Sequence, residues 1–180
     1  MGELERLHSR IRKCRKCRLW KGRKRAVPGE GPADAGLFLL GEAPGRREDE
    51  SGRPFVGRAG KLLDMLLEKS GLEREETFIT SVVKCRPPGN RNPKRDEMAA
   101  CRPYLEEQLA LVKPKLVVLM GNVAASAFFT PEEIKEFRGK LVEKEGLGIF
   151  FTYHPAAGLR FPKIRRKMER DFGEIARLSR

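Results

Sequence analysis

Carboxamides are nearly absent from this sequence: one Gln and three Asn stand among 180 residues, beside 35% charged side chains. That imbalance fits a protein that works at high temperature. No apolar run approaches the ~20 residues that a membrane-spanning helix requires. The opening stretch, MGELERLHSRIRKC, is charged and periodic and lacks the apolar core of a secretory signal. The expected location is therefore the cytosol, with no membrane partner. Internal repeats, Ser- or Gly-rich linkers and low-complexity tracts are also missing. One domain over residues 1–180 is the expectation, with a real hydrophobic core and no disordered arm.

Positive charge is abundant. Against 25 acidic residues stand 38 Lys and Arg, a formal net charge of +13. Such a balance attracts polyanions, whether a nucleic-acid backbone or an anionic membrane surface, and it also serves plain solubility. The cations are bunched at Arg12–Arg25 and Arg160–Arg170. Clustering of this kind favours nucleic acid.

Four apolar runs are short enough to be buried strands: Leu37–Leu40, Phe78–Val83, Leu116–Met120 and Gly148–Tyr153. Amphipathic segments alternate with them. KLLDMLLEKSG sets Leu62, Leu63, Leu66 and Leu67 on one helical face and ends at Gly71. Asn92-Pro93 reads as an N-cap followed by the first helical residue, and Thr130 with Glu133 as a capping box. A basic helix closes the chain from about Lys163 to Leu178. Alternation of this kind predicts a three-layer α/β/α sandwich around a central four-stranded parallel sheet, with a short extra hairpin at one edge from GKLVEKEGLGIFF.

Each predicted strand ends in an unusual sequence: Gly41-Glu42-Ala43-Pro44, Lys84-Cys85-Arg86-Pro87-Pro88, Gly121-Asn122 and His154-Pro155. Ligands of open α/β sheets bind outside the carboxyl ends of the strands. Breakers and polar residues gathered at that one end therefore predict an active-site crevice.

The four cysteines are Cys14 and Cys17, as C-x2-C, and the distant Cys85 and Cys101. In a cytosolic protein a disulfide framework is not expected. Four free thiols remain an alternative, but Arg12, Lys13, Arg15, Lys16, Arg18, Lys84, Arg86 and Arg102 would offset thiolate charge and favour a metal centre. Structural zinc usually pairs two close-spaced knuckles, and Cys85 and Cys101 do not form one. Scattered thiolates suit an iron–sulfur cluster better, with zinc the less favoured alternative.

GEAPG, GRPFVGRAGKLL, VVKCRPPGNRNP and YHPAAGLR, together with the cysteine order, closely resemble the family 4 (iron–sulfur) uracil-DNA glycosylases from Cys14 to about Phe172. The resemblance implies a [4Fe-4S] cluster of structural role on Cys14, Cys17, Cys85 and Cys101. It also implies hydrolysis of the N-glycosidic bond of deoxyuridine in DNA, which leaves an abasic site for base excision repair. The partners it implies are uracil-containing DNA and repair proteins, and a monomer is expected.

That chemistry requires a flipped nucleotide, an aromatic wall for the pyrimidine and stabilisation of an oxocarbenium-like sugar as charge grows on uracil. By the resemblance, Phe55 stacks on the base and His154 donates to uracil O2. Gly41 and Ala43 line the base site. Glu42 orients water or balances the sugar cation, with a loop cap as its plainer alternative. Glu48, which like Asp49 matches the family, is expected to help exclude the thymine methyl, since Gly45 leaves room for it. The family's Asn before VVKC is Ser81 here, and a hydroxyl cannot span both uracil O4 and N3–H as an amide can. Looser or altered base selection is expected, with Asn122 a candidate stand-in if it does not serve a helix N-terminus. Arg86, Gly158, Leu159, Arg160, Lys163, Arg165 and Arg166 are expected at the DNA, Leu159 as a wedge in the minor groove. His8, on the first helix, reads as structural. The competing readings are a superfamily member of broadened deaminated-base specificity and a zinc-stabilised nucleic-acid-binding module without catalysis.

Overall fold

The computed structural model describes the whole chain, Met1–Arg180. The four apolar runs form β1 (Leu37–Gly41), β2 (Thr77–Ser81), β3 (Leu116–Met120) and, after an edge strand β4 (Leu141–Lys144), β5 (Leu147–Thr152). In β1, β2 and β3 every residue is buried, the pattern expected when helices cover both faces of a parallel sheet. The order is β2-β1-β3-β5-β4; the first four strands run parallel and β4 is antiparallel to β5. The edge hairpin expected from the sequence is therefore present, which makes five strands. It turns at Glu145-Gly146, with φ of 53° and 78°, the left-handed pair that a tight hairpin needs.

Period-two alternation splits the core between the two faces. Leu37, Leu39, Val118 and Met120 pack with Leu63 and Leu66 of α3 (Arg58–Ser70) and Phe172 and Ile175 of α8 (Pro162–Leu178). Phe38, Leu40, Val117 and Leu119 pack with Leu105 and Val112 of α4 (Arg95–Val112) and Ala124 and Ala125 of α5 (Asn122–Ser126). Each large side chain so buried contributes about 1.5–3 kcal/mol relative to exposure. A third cluster joins α1 (Glu3–Arg12) to α4 through Leu7, Ile11 and Tyr104, with Cys85 and Val83 beside them.

Some boundaries move. Helix α4 starts at Arg95 with Lys94 at its N-cap, not at Asn92-Pro93. The buried Glu97 accepts the Lys94 amide at 2.8 Å and pairs with Arg91 at 2.7 Å, and this capping box sets the start two residues later. The capping box at Thr130–Glu133 opens α6 (Pro131–Phe137) as expected, and Gly71 ends α3 at φ 74°.

The chain leaves β1 for β2 on one side and then crosses to β3 on the other. This reversal opens a crevice at the carboxyl end of β1, between the short α2 (Arg46–Ser51) and the start of α7 (Pro155–Arg160).

Candidate active site and cysteine cavity

The crevice is a cavity of about 320 Å³. Its walls include Glu42, Ala43, Pro44, Gly45 and Glu48 from the segment after β1, Phe55 from the next loop, Ser81 and Pro87 from the end of β2, and His154 after β5. The residues that sequence reasoning placed at the base are thus brought together. Gly41 lies directly behind: a Cβ there would stand 2.6 Å from Phe55 Cζ, so the missing side chain is the seat of the ring. The Phe55 and His154 rings tilt toward one another, with centroids 5.7 Å apart.

Phe55 is buried and has φ of +49°, a left-handed conformation that costs a non-glycine residue about 1–2 kcal/mol. Glu48 helps to hold its loop. Oε1 accepts the amides of Val56 at 3.1 Å and Gly57 at 3.0 Å, while Oε2 accepts that of Gly45 at 3.1 Å. Both oxygens are committed to backbone, so Glu48 shapes the wall rather than reaching for a substrate. Gly45 is small because that carboxylate closes on it: a Cβ would lie 2.9 Å from Oε2. Asp49, also buried, accepts the Lys24 amide at 2.8 Å and ties down the basic loop before β1.

His154 is the N-cap of α7, and its Nδ1 accepts the Ala156 amide at 3.0 Å. An accepting Nδ1 carries no proton, so the neutral ring has its proton on Nε2, which has no protein partner. Burial pushes the His154 pKa down to about 4, opposed by the nearby Glu48, and keeps the ring neutral at ordinary pH. Gly121, at φ +96°, gives the ring's stem room: a Cβ there would be 2.9 Å from His154 Cβ. Glu42 is half-buried and makes no hydrogen bond or ion pair through its carboxylate; burial alone raises its pKa above the usual carboxylate range. Ser81 is buried at the cavity wall, with its hydroxyl unpaired. Asn122 is no stand-in: it is exposed at the first position of α5 and accepts from Arg138 at 2.5 Å.

Beside the mouth, Leu159 (42% exposed) and Phe161 (48% exposed) are two of the few large apolar side chains open to solvent. Phe161 was not anticipated; one aromatic among basic residues gives no sequence signal of its exposure. Arg160, Lys163 and Arg166 are exposed, Arg165 is half-buried against Met65, and Arg86 is held by Asn90 at 2.7 Å. Gly158, expected at the DNA, faces inward instead. A Cβ there would meet Leu62 Cδ2 at 2.9 Å and Met168 Sδ at 3.0 Å, so close packing between α3 and α8 explains the glycine.

The four cysteines are free, and all line one small cavity with Ile11, Trp20, Arg23, Lys84 and Tyr104. No carboxylate or imidazole joins them, so any metal group there would have thiol ligands only. No three His, Cys, Asp or Glu side chains are grouped to hold a single metal ion. Arg23 donates to Cys85 Sγ at 3.2 Å and to the Cys14 carbonyl at 2.7 Å, joining two of the thiol-bearing loops. Burial pushes the Cys101 thiol up to about 11 and raises that of Cys85. Binding a cation at these thiols must therefore release protons. Lys84 is fully buried between this cavity and the crevice. It donates to Thr80 Oγ1, the Ser81 carbonyl and Gln108 Oε1, each at 2.7 Å. Gln108 in turn meets His8 Nε2 at 3.1 Å, which places His8 in a structural network as expected.

A profile of the Uracil DNA glycosylase superfamily matches residues 28–176. Relatives include the Type-4 uracil-DNA glycosylase of Sulfurisphaera tokodaii, 46% identical over 99% of this chain and 86% of that protein. The Type-4 uracil-DNA glycosylase of Pyrobaculum aerophilum is 45% identical over 94% and 91%, and that of Thermotoga maritima 41% identical over 87% and 83%. With a mostly parallel sheet, a crevice at its switch point and a profile match over most of its length, the chain belongs to the uracil-DNA glycosylase superfamily. Within it the chain falls among the type-4 uracil-DNA glycosylases and is, like them, a uracil-DNA glycosylase of DNA repair.

Proposed function

We propose that the whole chain, residues 1–180, works as one glycosylase domain that flips deoxyuridine out of DNA into the Glu42–Ser81–His154 cavity and hydrolyses its N-glycosidic bond. The observation that carries this reading is the meeting, in one cavity, of an unpaired carboxylate (Glu42), a neutral imidazole with a free Nε2–H (His154) and an aromatic face (Phe55). Phe55 stacks on the pyrimidine. As the bond to the sugar breaks, negative charge grows on uracil O2 and His154 Nε2–H donates to it. Glu42 faces the cationic sugar and orients the attacking water, which completes the hydrolysis. Ser81 contacts the base edge with one hydroxyl, and this favours broader base acceptance than an amide would give. Glu48 acts by fixing the loop that carries Phe55.

DNA lies against the edge bearing Arg86, Arg160, Lys163, Arg165 and Arg166, which bind phosphates, while Leu159 and Phe161 enter the groove. Cys14, Cys17, Cys85 and Cys101 would hold the iron–sulfur cluster. Their all-thiol composition fits it, and the wide spacing of Cys85 and Cys101, which form no second close-spaced pair, favours a cluster over zinc. When bound, the cluster would pin the two N-terminal cysteines to α4 and the loop after β2, a structural role that needs no redox step. Visible absorbance and iron content of anaerobically purified protein separate cluster from zinc. The test of function is release of single uracil, hypoxanthine, xanthine and thymine bases from single- and double-stranded DNA. Abasic product from uracil is expected; its absence overturns the reading.

A further inference from the structure

Phe55 is held in place from two sides, and only one of them is Glu48. On the other, Arg74 Nη2 donates to the Pro54 carbonyl at 2.6 Å and Nη1 to the Phe55 carbonyl at 3.1 Å. The same guanidinium is fixed by Asp64 at 2.6 Å and Glu30 at 3.1 Å. Glu30 is itself anchored: its backbone exchanges hydrogen bonds with Ile79 of β2 at 3.0 and 2.8 Å. The loop can come this close because Gly60 lacks a side chain; a Cβ there would stand 1.9 Å from the Phe55 oxygen. A cation thus takes the carbonyls of residues 54 and 55, while an anion takes the amides of 56 and 57. Between them they hold a left-handed Phe55 that would relax if released.

We infer that Arg74 is a positioning residue for base recognition, acting through the Phe55 backbone to keep the aromatic wall over Gly41. It touches neither DNA nor the reacting atoms. The inference rests on the reading of Phe55 as the stacking face, and the experiment separates the two. Uracil release and inhibition by free uracil are measured for the native protein, Phe55→Ala, Arg74→Gln and the double variant, with binding to abasic-site DNA and thermal stability alongside. Phe55→Ala is expected to lower kcat/KM about 10- to 100-fold, the span that base–aromatic stacking covers. Arg74→Gln is expected to lower it about tenfold and to weaken free-uracil inhibition in step, with abasic-DNA binding unchanged. In the Phe55→Ala background, Arg74→Gln should cost nothing further, because the ring it positions is already gone.

Losses that multiply in the double variant, or unaltered uracil inhibition in Arg74→Gln, overturn the role of Arg74. An inconsequential Phe55→Ala, or no uracil release by the native protein, overturns the underlying reading instead. If Arg74→Gln unfolds, Arg74→Lys keeps the charge without the fork, and a threefold loss that vanishes without Phe55 is the expected result.

Discussion

His154 performs two tasks through two nitrogens, and substitution can part them. Nδ1 caps α7 by accepting the Ala156 amide, whereas Nε2 is the free donor toward the cavity. His154→Ala removes both. Loss of the cap costs about 1 kcal/mol, or about 2–4 °C in Tm for a chain of this size. Loss of a donor aimed at developing negative charge costs about 10²–10³ in kcat, equivalent to about 2.7–4 kcal/mol. His154→Asn restores a good N-cap but not the reach of the ring, so it should keep the native Tm and still lose about 10²-fold in single-turnover rate. The pH profile adds an independent check. With its pKa near 4, the ring stays neutral between about pH 5 and pH 8, and no rate is lost to it as pH rises through the ordinary value of 6.5. The unfolded ring takes up a proton first as pH falls, so the stability held by neutral His154 is complete above 6.5 and declines toward 4. A rate that drops with the titration of a cationic His154 near neutrality would refute the neutral-donor argument, as would either variant retaining a tenth of native activity.

Glu42→Gln should lower kcat about 10²- to 10⁴-fold while leaving Tm equal or higher, since it removes a half-buried carboxylate that has no partner; a fall in Tm with activity kept would count against its catalytic role. In the native protein, activity that needs ionised Glu42 should fade as pH drops through a pKa above 4.5, which single-turnover rates would register. Ser81→Asn should sharpen rejection of cytosine and improve uracil kcat/KM by about tenfold, the worth of one added hydrogen bond; unchanged kinetics and selectivity would refute the expectation. Leu159→Ala and Phe161→Ala should each slow uracil excision from duplex DNA more than from single strands, and equal effects on both substrates would place these side chains outside the groove.

Much of the fold could be read from the sequence because its strands are continuous apolar runs flanked by breakers. Those runs follow from burial on both faces, and the strand ends at Glu42, Ser81 and His154 meet in one cavity as topology requires. What stayed hidden depends on partners distant in the chain. Arg74 reads as a surface cation until its link to Phe55, 19 positions earlier, is known. Lys84 reads as one of several cations offsetting thiolate charge, yet it is 1% exposed with every ammonium proton donated to Thr80, Ser81 and Gln108. Glu48 looked free to face the base and bar the thymine methyl because a motif gives residue type and position but not hydrogen-bond partners. Gly158 was expected at the DNA with its neighbours in sequence, and only the packing of α3 and α8 around it reveals the side chains that exclude a Cβ.

The packing of α1 on α4 sets an order of events during synthesis. Helix α1 is made before α4, yet its apolar face, Leu7 and Ile11, has no cover until residues 95–112 have followed. An isolated helix of 10 residues is marginal in water, so this segment gains its stability only from that later packing. Cys14 and Cys17 meet Cys101 only when α4 forms, so the cysteine cavity can close only after the chain has been made past residue 101.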